Sequence, residues 1–433
     1  MTTPILDFLN TYAASDTLRL HMPGHKGLPA LGCEALDITE IAGADALYEA
    51  GGIIAESERN AAALFGSART LYSTEGSSQC IRAMVFLALQ NRPSGAPGRI
   101  LAGRNAHKAF LYAAALCGAE VDWLWPRAGE RLTGCTVTPA ALESALASAR
   151  YAAVYVTSPD YLGQTLDIAQ LAAVCRAHRV PLLVDNAHGA HLRFLAENRH
   201  PMALGADLCC DSAHKTLPVL TGGAYLHIAN PAFVPGAKAA MALFGSTSPS
   251  YLILASLDRC NRLLAEGWGQ TLAQAQAQAL ALRQRLAAAR WHCADTEPLH
   301  LSLLGDGAAM AQRLRRAGIE PEYAARDAMT LLLSPDTLEE TARRLPAALG
   351  ENDLPAPPPA PELAAPERVL SPREAIFAAQ ETLPVRRSAG RVCGAPTVAC
   401  PPAVPVVVSG ERIGADAAAV MAYYGIETVS VVK

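Results

Sequence analysis

Between residues 52 and 245, short apolar runs alternate with longer stretches in which apolar side chains recur every three or four positions. The short runs predict buried strands and the longer ones predict helices packed against them. Strands are expected at 70–73, 100–103, 121–125, 153–157, 181–185, 206–210 and 224–228. Helices are expected at 77–90, 107–117, 167–178 and, with weaker periodicity, 187–194. This alternation predicts an α/β fold, a mostly parallel sheet flanked by helices. Such sheets bind ligands beyond the carboxyl ends of their strands, which makes the residues just after each strand the candidates for chemistry.

The flanking pattern divides the rest. Residues 1–51 read as an N-terminal arm, with a helix over 4–15 and then the loop HMPGHKG at 21–27, where two glycines and a proline prevent regular structure. The large domain spans 52–255. A single long helix over 256–290 leads into a small α/β domain, the two together covering 256–353, with strands at 301–304 and 329–333 and helices at 308–317 and 337–349. Six prolines among residues 354–366 predict a stiff, extended, unpacked linker. The C-terminal domain, 367–433, holds a helix over 372–381, the run CPPAVPVVVSGERI at 400–413, and a closing helix and strand.

Bulk properties narrow the chemistry. A chain of 433 residues is too long for one compact core. Its net charge of −4, with scattered lysines and arginines, gives no electrostatic footprint for nucleic acid or an anionic membrane. The eleven cysteines show neither a CxxC pair nor zinc spacing, so reduced core thiols and no metal are expected. No signal peptide is legible and no apolar run approaches the ~18 residues of a membrane span, which predicts a cytoplasmic protein acting on small molecules.

Four strand ends carry the candidate chemistry. At 75–78, EGSS sits between a strand and a helix; free N–H groups beside glycine and two hydroxyls make an anion site for Gly76, Ser77 and Ser78. At 104–107, RNAH places His107 where its ring can lie on an aromatic ligand. At 185–188, DNAH ends an apolar strand in Asp185, a carboxylate that burial obliges to find a cationic or N–H partner. At 209–217, CCDSAHKTL brings Ser212, His214 and Lys215 to a strand mouth, where desolvation lowers a lysine's pKa and frees its amine for Schiff-base chemistry. Taken singly, each has an ordinary structural role: N-cap serine, capping histidine, N-cap aspartate, surface lysine. Together they supply a phosphate cradle, a stacking ring, a partner for a ring nitrogen and an imine-forming amine, the set that holds pyridoxal phosphate.

On these residues the chain resembles the ornithine/lysine/arginine decarboxylases of pyridoxal phosphate fold type I. HMPGHKG at 21–27, DITEIAGADAL at 37–47, RNAHKAF at 104–110, DNAHGAH at 185–191, SAHKTLPVLTGGAYLH at 212–227 and STSPSYLILASLD at 246–258 are similar to the family's motifs. CPPAVPVVVSGERI resembles its C-terminal YPPGIP followed by PGE. The resemblance implies a small α/β domain and a C-terminal domain beside the large one, and a homodimer with shared active sites. It further implies that Lys215 binds the cofactor covalently, that Asp185 pairs with the pyridine nitrogen, and that His107 and Ala187 lie on opposite ring faces. Gly76, Ser77, Ser78, Ser212 and His214 would hold the phosphate, His188 would line the cofactor site, and Thr247 would reach a phosphate across the dimer interface.

The implied reaction is decarboxylation of a basic amino acid, with arginine favoured over lysine and ornithine because the short members are commonly arginine decarboxylases. His25 and Glu411 are the substrate candidates; a carboxylate at 411 could pair with a distal guanidinium, or be a solvated strand-end residue. Departures from the family pattern are Glu75 for Asn, Asn186 for Glu, and Cys400, Ala403 and Ser409 for Tyr, Gly and Pro. An aminotransferase or lyase, which would keep the substrate carboxylate with an arginine such as Arg386, Arg387 or Arg391, and a non-catalytic cofactor binder stay open as alternatives.

Overall fold

A computed structural model describes residues 1–92, 94–127, 129–131, 133–396 and 405–433; Cys400 and Ala403 lie outside the described residues. The strands in chain order are β1 (Arg69–Ser73), β2 (Arg99–Gly103), β3 (Glu120–Leu124), β4 (Ala153–Thr157), β5 (Leu182–Asp185), β6 (Leu208–Asp211) and β7 (Ala224–Ile228). They continue as β8 (His292–Cys293), β9 (His300–Leu304), β10 (Tyr323–Ala324), β11 (Ala328–Leu332), β12 (Gln380–Pro384) and β13 (Thr428–Val432). The chain divides into two units, Met1–Ser94 with Ile168–Gln270 and Gly95–Asp167 with Thr271–Lys433, so the expected 52–255 segment contributes to both.

In the first unit the strands lie in the order β1, β7, β6, β5. β5 and β6 run parallel with Asp185 opposite Cys210, whereas β7 is antiparallel to both neighbours and sets His227 opposite Thr70. Every residue of β5, β6 and β7 is buried, which is why these segments are mostly apolar. The N-terminal helix Pro4–Ala13 joins this core through Ile5 and Leu9, packed in one cluster with Phe65, Tyr251 and Leu254. Each such burial contributes about 1.5–3 kcal/mol. Its first-turn N–H groups, at Ile5 and Leu6, donate to Asp258 over 2.9 and 3.1 Å, and Ser57 Oγ donates to the same carboxylate. Burial pushes that carboxyl up to about 6.

The second unit has β4, β2 and β3 in parallel, with Ala102 opposite both Tyr155 and Trp123. Its small sheet is antiparallel throughout, in the order β10, β11, β9, β8. The C-terminal segment closes as the ribbon β12–β13 around Cys393, Val406, Val407, Ile413 and Val431.

Four expectations change. The single helix expected over 256–290 is two, Tyr251–Ala265 and Trp268–Ala288, because Gly267 between them takes a φ of 106° and Glu266 N bonds back to Arg262 O. Alanine-rich sequence hides such a break. The helix expected at 187–194 is only a 3₁₀ turn, Ala190–Phe194, entered through a turn in which Gly189 N donates to Asn186 O over 2.7 Å. The helix at 372–381 stops at Phe377, because β12 is drawn into pairing with β13. The proline-rich linker is irregular but docked: Pro358 O accepts from Tyr423 Oη, Ala364 N donates to Asp416, and Leu363 packs on the C-terminal core. Among the described residues no helix is long and apolar enough to cross a membrane.

Candidate active site

β1 delivers the chain to a turn that ends at Gly76, whose φ of 70° and ψ of −179° fall in a region that glycine alone enters freely. Gly76 N donates to Gly222 O over 2.7 Å, which locks the turn. The helix Ser77–Gln90 begins directly after it, and among the described residues no side chain caps its first turn. Its leading N–H groups therefore have no intrahelical acceptor. Ser212, just past β6, donates from Oγ to Ser77 Oγ over 2.8 Å, and a Cβ built on Gly76 would sit 3.9 Å from His214 Cε1. His214 is fixed by Gly223 O, which accepts from its backbone N and from Nδ1. The structure thus brings Gly76, Ser77, Ser212 and His214 together, with Ser78 next along the helix.

Asp185 ends β5 and is 2% exposed. Its Oδ1 accepts from Ala187 N over 3.2 Å and receives Cys210 Sγ at 3.6 Å. Lys215, in the short helical turn Ala213–Thr216, holds Nζ 2.8 Å from Nε2 of the buried His188. Cys209 points the other way, its Sγ 3.6 Å from Asp211 Oδ1, as the alternation of a strand requires.

Behind these strand ends lies a buried network that sequence patterns do not reveal. Asp211 accepts from Asn186 Nδ2 at 2.7 Å, His200 Nε2 at 2.9 Å and His227 Nε2 at 3.2 Å. Both imidazoles offer N–H from Nε2, since His200 Nδ1 accepts from Met202 N and His227 Nδ1 lies 2.8 Å from Thr70 Oγ1. Burial alone would push the Asp211 carboxyl up, but the two histidines outweigh it and hold it below the ordinary carboxylate range. Burial also lowers the pKa of His227, against the opposing pull of Asp211. The signal in the sequence was a pair of departures from apolar pattern, Asp211 and His227, in strands that are otherwise apolar.

Thr247 is exposed on the loop after residue 245; the neighbouring Ser246 N donates to Glu75 Oε1 over 2.5 Å. His25 is held inside its own loop, with Nε2 3.2 Å from Asp37 Oδ2 and Nδ1 accepting from Gly27 N.

In the second unit, His107 is the N-cap of the helix Lys108–Cys117, its Nδ1 accepting from Ala109 N over 3.2 Å. Glu411 is not the solvated strand-end carboxylate that was one expectation. It is 3% exposed and its two oxygens accept from Arg104 Nη1 and Nη2 at 2.6 and 2.7 Å. Arg104 was the partner missed; a carboxylate in an apolar segment and an arginine at a strand end were visible, but not that they meet. Arg391 is committed to Glu381 and Val432 O.

The fold is that of the pyridoxal phosphate fold type I enzymes. Among solved structures, lysine decarboxylase A from Pseudomonas aeruginosa matches with a TM-score of 0.82 at 18% identity, over 99% of this chain and 80% of that one. The chain belongs to the Orn/Lys/Arg decarboxylase family, whose major domain matches residues 3–305 and whose C-terminal domain matches residues 361–429, and it is accordingly a carboxy-lyase. An arginine decarboxylase of Bacillus anthracis is 27% identical over 96% of this chain and 91% of its own length. The uncharacterized protein YaaO of Bacillus subtilis (strain 168) is 28% identical over 95% of this chain and 92% of its own.

Proposed function

We propose that this protein removes the α-carboxylate of a basic amino acid in a pyridoxal phosphate-dependent reaction, with arginine favoured over lysine and ornithine. The observation that carries the proposal is the 2.8 Å approach of Lys215 Nζ to His188 Nε2, in the same unit as the buried Asp185 carboxylate. The residues present fit the cofactor. The uncapped first turn at Ser77 and Ser78, with Gly76, Ser212 and His214, suits its phosphate. Asp185 suits a protonated ring nitrogen and Lys215 suits an aldehyde carbon, and His107, Ala187 and His188 complete the proposed set. Support for arginine comes from the relatives that bear its name.

Pyridoxal phosphate, when bound, supplies an electrophilic carbonyl carbon and an electron-accepting ring. Asp185 would keep a proton at the pyridine nitrogen, because a buried carboxylate favours a cationic partner. His188 is placed to take a proton from the Lys215 ammonium and leave a nucleophilic amine. The same pair can hold the proton that replaces the departing carboxylate at the substrate α-carbon. Thr247, exposed on its loop, fits the proposed homodimer in which each copy completes the phosphate site of the other.

The test is a panel of arginine, lysine and ornithine with trapped CO2 and identification of the amine, run beside Lys215→Ala. CO2 release, fastest from arginine, and loss of the visible absorbance of bound cofactor in the variant are expected. A variant that keeps a covalent chromophore, or a wild-type protein that releases no CO2 from any of the three, would overturn it.

A further inference from the structure

Both oxygens of Glu411 are already engaged. Its carboxylate meets the Arg104 guanidinium edge to edge at 2.6 and 2.7 Å, Oε2 also accepts from Val408 N at 2.9 Å, and both residues are 3% exposed. The guanidinium carbon lies 5.0 Å from the Trp123 ring centroid and 4.5 Å from that of Trp125. A substrate cation would have to displace a planar, bidentate, aromatic-stacked guanidinium, and strand it without a counter-charge in the core.

The pair instead joins two rigid pieces. On one side, Arg104 N donates to Leu124 O over 3.0 Å, Ala106 N to Gly103 O over 3.1 Å, and Phe110 N to His107 O over 2.8 Å. The four residues from Arg104 to His107 therefore form a single tied turn that ends at the His107 cap. On the other side, Glu411 follows Gly410, whose φ of 91° places it where a Cβ would collide with Leu370 O. Val369 N and Leu370 N both donate to Gly410 O, and Cys393 N donates to Glu411 O over 2.8 Å. The glutamate is thus presented by a turn that cannot shift without unpacking the C-terminal core.

We infer that Glu411 is a positioning residue that acts through Arg104: it fixes the turn carrying His107, and so makes the C-terminal segment a support of the cofactor ring. The inference rests on the proposed role of His107 against that ring.

The experiment uses the full-length protein with pyridoxal phosphate and compares wild type, Glu411→Gln, Arg104→Met/Glu411→Gln and Trp125→Leu. Cofactor affinity, the circular dichroism of its visible band, and kcat and KM for the best substrate are measured for each. Glu411→Gln is expected to weaken cofactor binding about fivefold or more, to change the visible dichroism and to lower kcat, with KM within twofold of wild type. Arg104→Met/Glu411→Gln, which removes the tie altogether, should weaken cofactor binding at least as much as Glu411→Gln with KM still unchanged, and recovery to wild-type affinity would overturn the inference by showing that only the stranded cation disturbs the site. Trp125→Leu, which leaves both charges paired, should shift the dichroism in the same sense and covers the case in which Glu411→Gln does not fold. A tenfold rise in KM with unchanged dichroism would make Glu411 a substrate contact and overturn the inference. So would a loss of thermal stability alone, with cofactor binding and kinetics intact. A wild-type protein that takes up no cofactor overturns the functional proposal itself, and this inference with it; a wild type that binds and turns over while the variants behave as substrate-contact mutants overturns the inference alone.

Discussion

Lys215 Nζ and His188 Nε2 stand 2.8 Å apart, the histidine 4% exposed and the lysine at the mouth of β6. They are 27 residues apart in sequence and meet because β5 and β6 run parallel and end together. His188→Gln keeps a hydrogen-bonding side chain but not a titrating one. Turnover is expected to fall about 10²–10⁴-fold while the visible absorbance of bound cofactor persists, measured by stopped assay and spectrum on the same sample. Loss of the chromophore would make the histidine necessary for capture of the cofactor instead.

Asn186 donates to Asp211 over 2.7 Å, in a pocket where both residues are fully buried. Asn186→Asp would set two carboxylates at that separation and is expected to cost about 3 kcal/mol, read from denaturant midpoints. Asn186→Asp/Asp211→Asn should recover most of the loss, since the amide introduced at 211 can accept from His200 and His227 and donate to the carboxylate introduced at 186. A double variant no more stable than the single one would show that the charge, not the pairing, matters at 211.

Gly76→Ala tests the proposed phosphate site. The nearest atom to the added Cβ is 3.9 Å away, an ordinary contact, so backbone strain at a φ of 70° sets the cost. That strain amounts to about 1–3 kcal/mol. Affinity for pyridoxal phosphate should fall more than affinity for pyridoxal, which lacks the phosphate; equal losses in absorbance titrations would place the anion elsewhere.

Asp160, 4% exposed, accepts from Leu162 N and Gln164 N, and burial pushes its carboxyl up to about 6. In the unfolded chain the same group ionises near about 3.9. The native state therefore binds the extra proton between those values, and stability contributed at low pH is lost as pH rises through about 4 to 6. Asp160→Asn cannot ionise. Relative to wild type it should gain stability at pH 8 and gain little at pH 4, a difference of about 2–3 kcal/mol visible in paired thermal melts.

The candidate residues were legible because strand ends carry local signals. An apolar run stops at Asp185, a glycine and serines precede a helix at Gly76, and a lysine follows CCDS at 209–212; each needs only a few neighbouring residues to be seen. The strands at 153–157 and 224–228 and the helix at 77–90 fall at the expected limits for the same reason, since period and burial are written in adjacent positions. Breaks set by a single residue among weak signals, as at Gly267, were not.

What the sequence by itself determined is the kind of chemistry the chain can present: an amine, a carboxylate, two imidazoles and a glycine-serine helix start on an α/β frame. Only the tertiary structure decided who pairs with whom. Lys215 finds His188, Asn186 finds Asp211, and Glu411 finds Arg104 across 307 positions of chain. A buried charge dictates that a partner exists, because desolvation must be offset, but not which of many candidates it is. That choice is made by strand order and by the packing of the C-terminal core, which sets the carboxylate of Glu411, a substrate candidate by sequence, against the Arg104 guanidinium.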